Sequence, residues 1–538
     1  MKETDVDKKE FKINKYLSLK LDGDSTYIYV NGKRFRQCKY LLLNIPVDRI
    51  HSLDNIDSID EAAESLDNSL ERRKNIQEEY NLKPEDIFWG HCSNIQMWEE
   101  SGYDTRLLHS NLAFPLLKEL ARAGDAKARR VFKEEVAKRF RSGYMPVITY
   151  LLARGYLNDF TEEELMSLRP YVDNLTLNSV KSPTVGKLLA SSEEARKHVT
   201  SISLRESLDK EVPDWVFEFP DLQYLFLNKN KLERLPKRIG ILKKLEKLNL
   251  EENHLVELPE SIGNLKSLEI LDLSQNRLTR LPQSFGNLSS LVKLRLHGNF
   301  LSSLPQSFGN LNSLEELHLG NNNLSTLPLT IKSLSRLKSI VLNDNEFENL
   351  PERLGHISSL KDLHVNQNEI QFLPKTLKNL KSLERLELRG NILQKLPNFI
   401  GDLDALQVLW LDDNELESIP ESIGKLTNLE HLYLHKNKLI ELPESIGNLT
   451  NLIYLNLYRN KLKKLPKSLG SLNSLEALIL ERNELEDLPY SIINLQSLKL
   501  LVVRRNNFKE KPELLNIFEQ RGVYVVYIEK NVSISDLF

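Results

Sequence analysis

Thirteen asparagines, Asn230, Asn253, Asn276, Asn299, Asn322, Asn345, Asn368, Asn391, Asn414, Asn437, Asn460, Asn483 and Asn506, recur at a constant spacing of 23 residues. Thirteen prolines, from Pro236 through Pro259 and Pro282 to Pro489 and Pro512, keep the same period six residues behind them. The spacing leaves no room for an insertion or deletion between Asn230 and Asn506. A fixed period of roughly 20 to 29 residues specifies a solenoid whose units pack only on their neighbours. The C-terminal two-thirds of the chain is therefore expected to be an α/β repeat solenoid.

One unit, Leu245 to Ser267, shows what each position must do. Leu248 and Leu250 flank the outward Asn249, the alternation of a short strand with one buried face, so each repeat adds a strand to a parallel sheet. The chain then turns, and the amide of Asn253 can bond backbone groups that the turn would leave unpaired inside the coil. Leu255 and Leu258 return to the core, and Pro259 fixes φ on the convex side, where no ladder N–H is needed. Glycine holds the Gly263 position in nine of the first twelve repeats, with Lys332, Lys378 and Ile493 as the exceptions, and is expected there for a positive φ. A single unit buries too little to offset its ordering entropy, so only the stack is stable and its ends need caps. Ile202, Leu204, Val212 and Pro213 match the repeat with Ser207 in place of Asn, a degenerate cap. At the other end Glu513 to Gln520 reads as a helix and Val523 to Ile528 as a last strand.

The unit L-x-x-L-x-L-x-x-N-x-L-x-x-L-P-x-x-[IF]-G-x-L-x-x, visible in Leu268 to Ser290, resembles the 23-residue leucine-rich repeats of the Ras-suppressor, scribble and erbin group, of SHOC-2-type scaffolds and of plant Ras-group-related repeat proteins. The resemblance covers residues 199 to 538. It implies a horseshoe with a parallel concave sheet and a non-catalytic scaffold, with a small GTPase or a phosphatase complex as partner. Residues 1 to 170 carry no resemblance that names a family, there is no PDZ-type region and no identifiable phosphatase-docking segment, so the partner itself does not carry over.

Within 538 residues and a net charge of −3, a near-neutral balance argues against a dedicated nucleic-acid binder. Only Cys38 and Cys92 occur and neither cap carries a cysteine, which points to a reducing compartment. Met1 to Lys15 is charged and no run of 18 apolar residues exists, so the expectation is a cytoplasmic protein without signal peptide or membrane span.

The expected organisation is a small β module (1–50), a helical domain (51–170), a junction with the degenerate cap (171–221), thirteen repeats (222–512) and a C-terminal cap (513–538). Tyr27 to Val30, Asn31-Gly32 and Lys33 to Arg36 form a hairpin signal within a module spanning Leu17 to Ile45. Ser58 and Glu61 open a helix to Tyr80, and further helices are expected over Asp104 to Ala123, Ala126 to Arg141, Pro146 to Arg154 and Thr161 to Leu168. Leu175 and Leu177 suit a pre-repeat strand, and Ser191 with Glu194 opens a short helix.

The sequence contains no phosphate-binding G-x-x-x-x-G-K-[ST] loop, since Gly186-Lys187 is followed by Leu188, and no kinase set, G-x-S-x-G elbow or H-E-x-x-H. No cofactor or metal is expected. Trp89-Gly90-His91-Cys92, with Asp104 and His109, can be read as a thiol nucleophile with a base, which would make the N-terminal region an enzyme or ligand sensor served by the repeats. The far more common reading of such residues is a buried cysteine in an aromatic core, here with Trp98. Lys118 to Arg141 sets nine basic residues, including Arg122, Arg129, Arg130 and Arg139, against Glu119, Asp125, Glu134 and Glu135. That run suits either an anionic partner or the solvated face of a helix.

Side chains between the strand leucines must project onto the concave surface. There Trp410, His431, Tyr433, His435, Tyr454 and Tyr458 converge, with Asp412 and Asp413 to one side and Lys436, Lys438, Arg459 and Lys461 to the other. Exposed aromatics on a rigid sheet make interface anchors, and this patch is the expected protein-binding site, against the alternative that β propensity alone puts rings there. Acidic residues Asp344, Glu346, Asp362 and Glu369 gather earlier, suggesting a charge-segregated face. His297, His318 and His364 could hold a metal but lack carboxylate or thiol support.

Overall fold

The computed structural model describes residues 9–36, 83–108, 110–153, 155–172 and 179–527. Cys38, the helix expected from Ser58 to Tyr80, His109, and Leu175 with Leu177 lie outside them. The chain forms two compact units, Met1–Leu175 and Thr176–Phe538.

In the first unit, β1 (Glu10–Lys12), β2 (Leu17–Asp22), β3 (Ser25–Val30) and β4 (Lys33–Arg34) make an antiparallel meander. The last turn places Asn31 at φ 49° and Gly32 at φ 73°, two consecutive positive values that only residues such as Asn and Gly adopt cheaply. Helix α1 (Pro84–Glu100), which the sequence reading did not anticipate, lies on β2 and β3 and buries Phe88, His91, Cys92, Ile95 and Trp98. The helix expected from Asp104 is divided. Asp104 caps a 3-10 turn over Thr105–Leu107, and α2 begins only at Ser110 and runs to Ala123. The Asp125 carboxylate accepts from the backbone N–H groups of Lys127 and Ala128, both at 3.0 Å, and starts α3 (Ala126–Arg141). Helices α4 (Met145–Ala153) and α5 (Glu162–Met166) follow, the latter opened by a reciprocal Thr161–Glu164 capping box.

The second unit begins with β5 (Ser179–Val180), α6 (Pro183–Ala190) and α7 (Glu193–Arg196), the last capped by Ser192 rather than Ser191. Strand β5 opens a parallel sheet of 16 strands in strict sequence order. It continues through β6 (Ser201–Ser203) and thirteen three-residue strands, one per repeat, from β7 (Tyr224–Phe226) to β19 (Leu500–Val502). Helix α8 (Glu513–Gln520) and β20 (Tyr524–Val526) close it. Opposite the sheet each of the first twelve repeats carries a five-residue 3-10 turn that starts behind the repeat proline, as in Pro259 and Glu260–Asn264. The repeat leucines between sheet and turns are fully buried.

The asparagines staple each coil to the one before. Asn253 Nδ2 donates to Leu250 O of its own repeat at 3.0 Å and to Leu227 O of the preceding repeat at 2.9 Å, while its Oδ1 accepts from Leu232 N at 3.1 Å. Asn368 repeats this with Val365 O at 3.2 Å, Leu342 O at 3.1 Å and Phe347 N at 3.2 Å. The positive φ of the turn falls on the residue just before the asparagine, from Lys229 and Glu252 through Gln275 and Asp344 to Arg505.

This corrects the role expected for the repeat glycines. The Gly263 position has no positive φ; a Cβ on Gly286 would instead stand 2.0 Å from the backbone oxygen of Ser307 in the next turn. The requirement is close approach of successive turns. Where Lys332 and Lys378 replace glycine, their turns pack less closely on the following ones, so the bulk is accommodated by local spreading.

Two stability predictions follow from this geometry. Asn368→Leu leaves buried backbone groups of Leu342, Val365 and Phe347 unpaired at roughly 1 to 3 kcal/mol each. Amide exchange should accelerate at Phe347 and its neighbours, and unchanged protection there would refute the staple. Gly286→Ala should cost about 1 to 3 kcal/mol by overpacking, and Gly286→Asn at least as much, because conformation is not what the glycine supplies. An unshifted melting midpoint for the alanine variant would contradict the close-approach role.

Candidate functional site

Constant register turns sequence columns into physical ones. Parallel pairing sets Trp410 of β15 (Val408–Trp410) opposite Tyr433 of β16 (His431–Tyr433), and His431 opposite Tyr454 of β17 (Tyr454–Asn456). Strands about 4.8 Å apart bring such side chains into contact. The Trp410 and Tyr433 ring centroids lie 5.0 Å apart, edge to face, and Tyr433 and Tyr454 are also 5.0 Å apart. His431 flanks the stack, 6.4 Å from Tyr433 and 6.3 Å from Tyr454. These rings are half-buried against one another rather than fully exposed. Trp410 Nε1 and His431 Nδ1 are buried without a hydrogen-bond partner.

Near the rings lies a polar pair of Asp412 and the partly buried His435. Asp412 is 1% exposed, and its Oδ2 sits 3.2 Å from Arg389 Nε on one neighbouring strand segment and 3.2 Å from His435 Nε2 on the other. Burial pushes the Asp412 carboxyl up to about 6 against the pull of Arg389, and burial with the nearby Arg389 pushes the His435 imidazole down to about 4. Near neutrality this is a carboxylate beside a neutral imidazole. Asp412 Oδ1 and His435 Nδ1 remain buried and unpartnered.

The remaining residues of the expected patch are Tyr458, Arg459 and three lysines. Tyr458 packs, with Tyr454, against an apolar cluster of Ala477, Ile479, Leu500, Val502 and Val526 at the C-terminal end of the sheet, a feature the sequence reading missed. Arg459 and Lys436 occupy the positive-φ turn, where Lys436 pairs with Asp413 at 3.7 Å. Lys438 pairs with Glu415 at 3.3 Å, and Lys461 is exposed beyond the asparagine.

Nor is the face charge-segregated. Asp362 pairs with Arg385 at 3.4 Å, Lys293 with Glu316 at 2.7 Å and Asp272 with Arg295 at 3.6 Å, each across adjacent strands. Asp344 lies in a positive-φ turn, and Glu346 accepts from Asn323 past the asparagine, as its position in the repeat dictates for Glu369 as well. Opposite charges directly across a sheet stabilise it, which explains the alternation. The carboxylates Asp272, Glu387, Asp412 and Glu481 on this face are buried, which the sequence did not disclose. Burial would raise the Glu387 carboxyl, but hydrogen bonds from His364 and Asn366, both at 2.8 Å, outweigh it and hold it below its usual range. That bond commits His364, His318 is held below its usual range by burial, and among the described residues no three metal-ligating side chains cluster.

In the first unit His91 and Cys92 share the inner face of α1, 7% and 1% exposed. Burial pushes the Cys92 thiol up to about 12 and the His91 imidazole down to about 4, the opposite of a thiolate paired with a charged base. Asp104 is spent on Arg106 and the cap.

The family described as "Leucine-rich repeat region" matches residues 248–326, 385–453 and 444–517, and that described as "Leucine rich repeat" matches 335–393. No curated protein matches the sequence significantly. Among solved structures, a leucine-rich-repeat protein of Leptospira interrogans is 32% identical, over 66% of this chain and 92% of its own, with a TM-score of 0.61. A TDR receptor is 27% identical over 64% of this chain and 65% of its own, TM-score 0.53. The Toll–Spatzle complex of Drosophila shares the fold at 23% identity over 64% of this chain and 52% of its own, TM-score 0.53. With the array matched repeat after repeat and a relative spanned almost end to end, the chain belongs to the leucine-rich-repeat proteins, a family whose general role is to bind other proteins.

Proposed function

We propose that the chain is a non-catalytic scaffold or adaptor that captures a protein partner on its concave face, anchored on Trp410, Tyr433 and Tyr454. The observation that carries this reading is the ring stack itself, where the buried N–H of Trp410 has no partner, on a sheet that elsewhere pairs acid with base across its strands. Tryptophan and tyrosine held rigidly in this way supply large contact area and a polar handle, the properties of interface anchors. Cysteine-free ends of the array support a cytoplasmic setting. The likeness of the repeat unit to Ras-suppressor and SHOC-2-type repeats supports a place in small-GTPase-type signalling. The inert surroundings of Cys92 weigh against an enzymatic N-terminal unit.

Trp410→Ala combined with Tyr433→Ala should weaken binding of the captured partner at least about 30-fold, from roughly 2 kcal/mol or more per anchor. The melting midpoint should move by only a few degrees, and Tyr490→Ala, at a residue 72% exposed outside the concave strands, should leave binding intact. Unchanged affinity in the double variant would defeat the assignment.

The Asp412–His435 pair adds a pH signature. Asp412, raised from 3.8 to about 6, contributes stability below pH 4 that is lost as pH rises through 6. His435, lowered from 6.5 to about 4, contributes stability above pH 6.5 that is lost as pH falls through 4. The two slopes oppose one another in the wild type. Asp412→Asn should therefore make stability rise with pH between 4 and 6.5, by up to about 3 kcal/mol relative to wild type. Parallel stability curves for the two proteins would show that Asp412 is not held protonated.

A further inference from the structure

The N-terminal unit contains a cleft of about 780 Å³ between the β3–β4 turn and α2, flanked by Tyr150 and Tyr156. Its walls carry five cations. Lys33, Arg34 and Arg36 come from the end of the hairpin, and Lys118 and Arg122 from one face of α2. Among the described lining residues Glu119 is the only carboxylate, and it already accepts from Arg122 at 2.9 Å.

The basic run from Lys118 to Arg141 does not explain this cluster. Lys133 pairs with Glu164 at 2.7 Å, Arg139 pairs with Glu135, and Arg130 lies 3.8 Å from Glu134, so much of the run is balanced within the helices. The cleft gathers two α2 cations, Lys118 and the Glu119-paired Arg122, and adds three from a distant part of the sequence. Like charges converging on one concavity repel unless an anion is drawn in, and such a site focuses the field on an anionic ligand.

The cations are also held in place. Arg34 stacks its guanidinium 3.5 Å from the Tyr27 ring centroid, and the Lys118 ammonium stands 4.1 Å from that of Tyr156. Tyr16 donates its hydroxyl to Gly124 O at 2.9 Å, tying the meander to the end of α2. The volume falls in the range of small-molecule sites, roughly 300 to 1,000 Å³, and the 48% exposed Tyr150 offers a flat ring at the rim. Guanidinium forks match phosphate oxygens in pairs, and an ammonium adds a point charge.

We propose that this cleft binds a small, multiply phosphorylated molecule whose phosphates are held by Arg34, Arg36, Lys118 and Arg122. Calorimetry on the full chain with inorganic tripolyphosphate tests it. One equivalent should bind, more weakly as sodium chloride is raised. Affinity should fall at least tenfold in Lys118→Gln/Arg122→Gln and in Arg34→Gln/Arg36→Gln, with melting midpoints near that of wild type. Two further probes identify the source: tighter binding of ATP than of tripolyphosphate assigns a nucleotide, and flotation with vesicles containing phosphatidylinositol bisphosphate assigns a lipid headgroup. Absence of tripolyphosphate binding, binding that survives both double variants, or equal affinity for a poly-glutamate peptide would overturn the proposal.

Discussion

Everything in the array depends on a side chain doing the work of a backbone. Three-residue strands pair along the sheet, but the turns that follow them would leave carbonyls and amides unpaired in a hydrocarbon interior, where each such group is costly. Asn253 and its counterparts fill that gap, and most of what they bond belongs to the preceding repeat. The amide therefore sets the offset between coils as well as closing its own turn. A one-residue insertion would misplace donor and acceptor at once, which explains why the 23-residue spacing never varies. The glycines act on the other side of the coil in the same direction, letting successive 3-10 turns close to backbone contact.

That rigid offset is what makes the concave face specifiable. Because register never slips, residues one period apart always meet, and a substitution on one strand is read by the side chains on either side of it. Most of the face uses this to neutralise itself, with acid and base alternating across strands. Around β15 to β17 the same geometry does something else. Rings meet rings, and polar atoms near them are left without partners. Buried donors and acceptors without partners are costly in an isolated protein, and several in one place support the proposed capture of a partner there.

How much of this could be read from the sequence differs by element, for physical reasons. Periodicity disclosed the solenoid, the asparagine staples and the helices Ala126–Arg141 and Glu513–Gln520, because each is specified by local residues at fixed offsets. Helix α1 escaped because its buried stripe includes His91, Cys92 and Trp98, residue types that draw attention as chemistry before they register as core. The glycine role was misassigned because positive φ and close approach select the same residue, and only the neighbouring turn distinguishes them. Within the candidate site the rings of Trp410, Tyr433 and Tyr454 followed from register alone. The place of Arg459 in the turn did not, since it depends on which way the chain bends after the third strand residue.

The N-terminal unit shows the same limit from the charge side. A run of like charges in sequence is a poor guide to a charged site, because helical periodicity distributes it over several faces and neighbouring carboxylates claim most of it. Which cations come together is decided by what folds against the helix. Here the hairpin turn at Asn31-Gly32 delivers Lys33 and Arg34 to the one stretch of α2 whose cations, Lys118 and Arg122, face a cavity. Two modest basic segments that mean little apart become a concentrated positive field once a positive-φ turn and a tyrosine hydroxyl hold them together. The turn that looks like mere punctuation in the sequence is what makes the site.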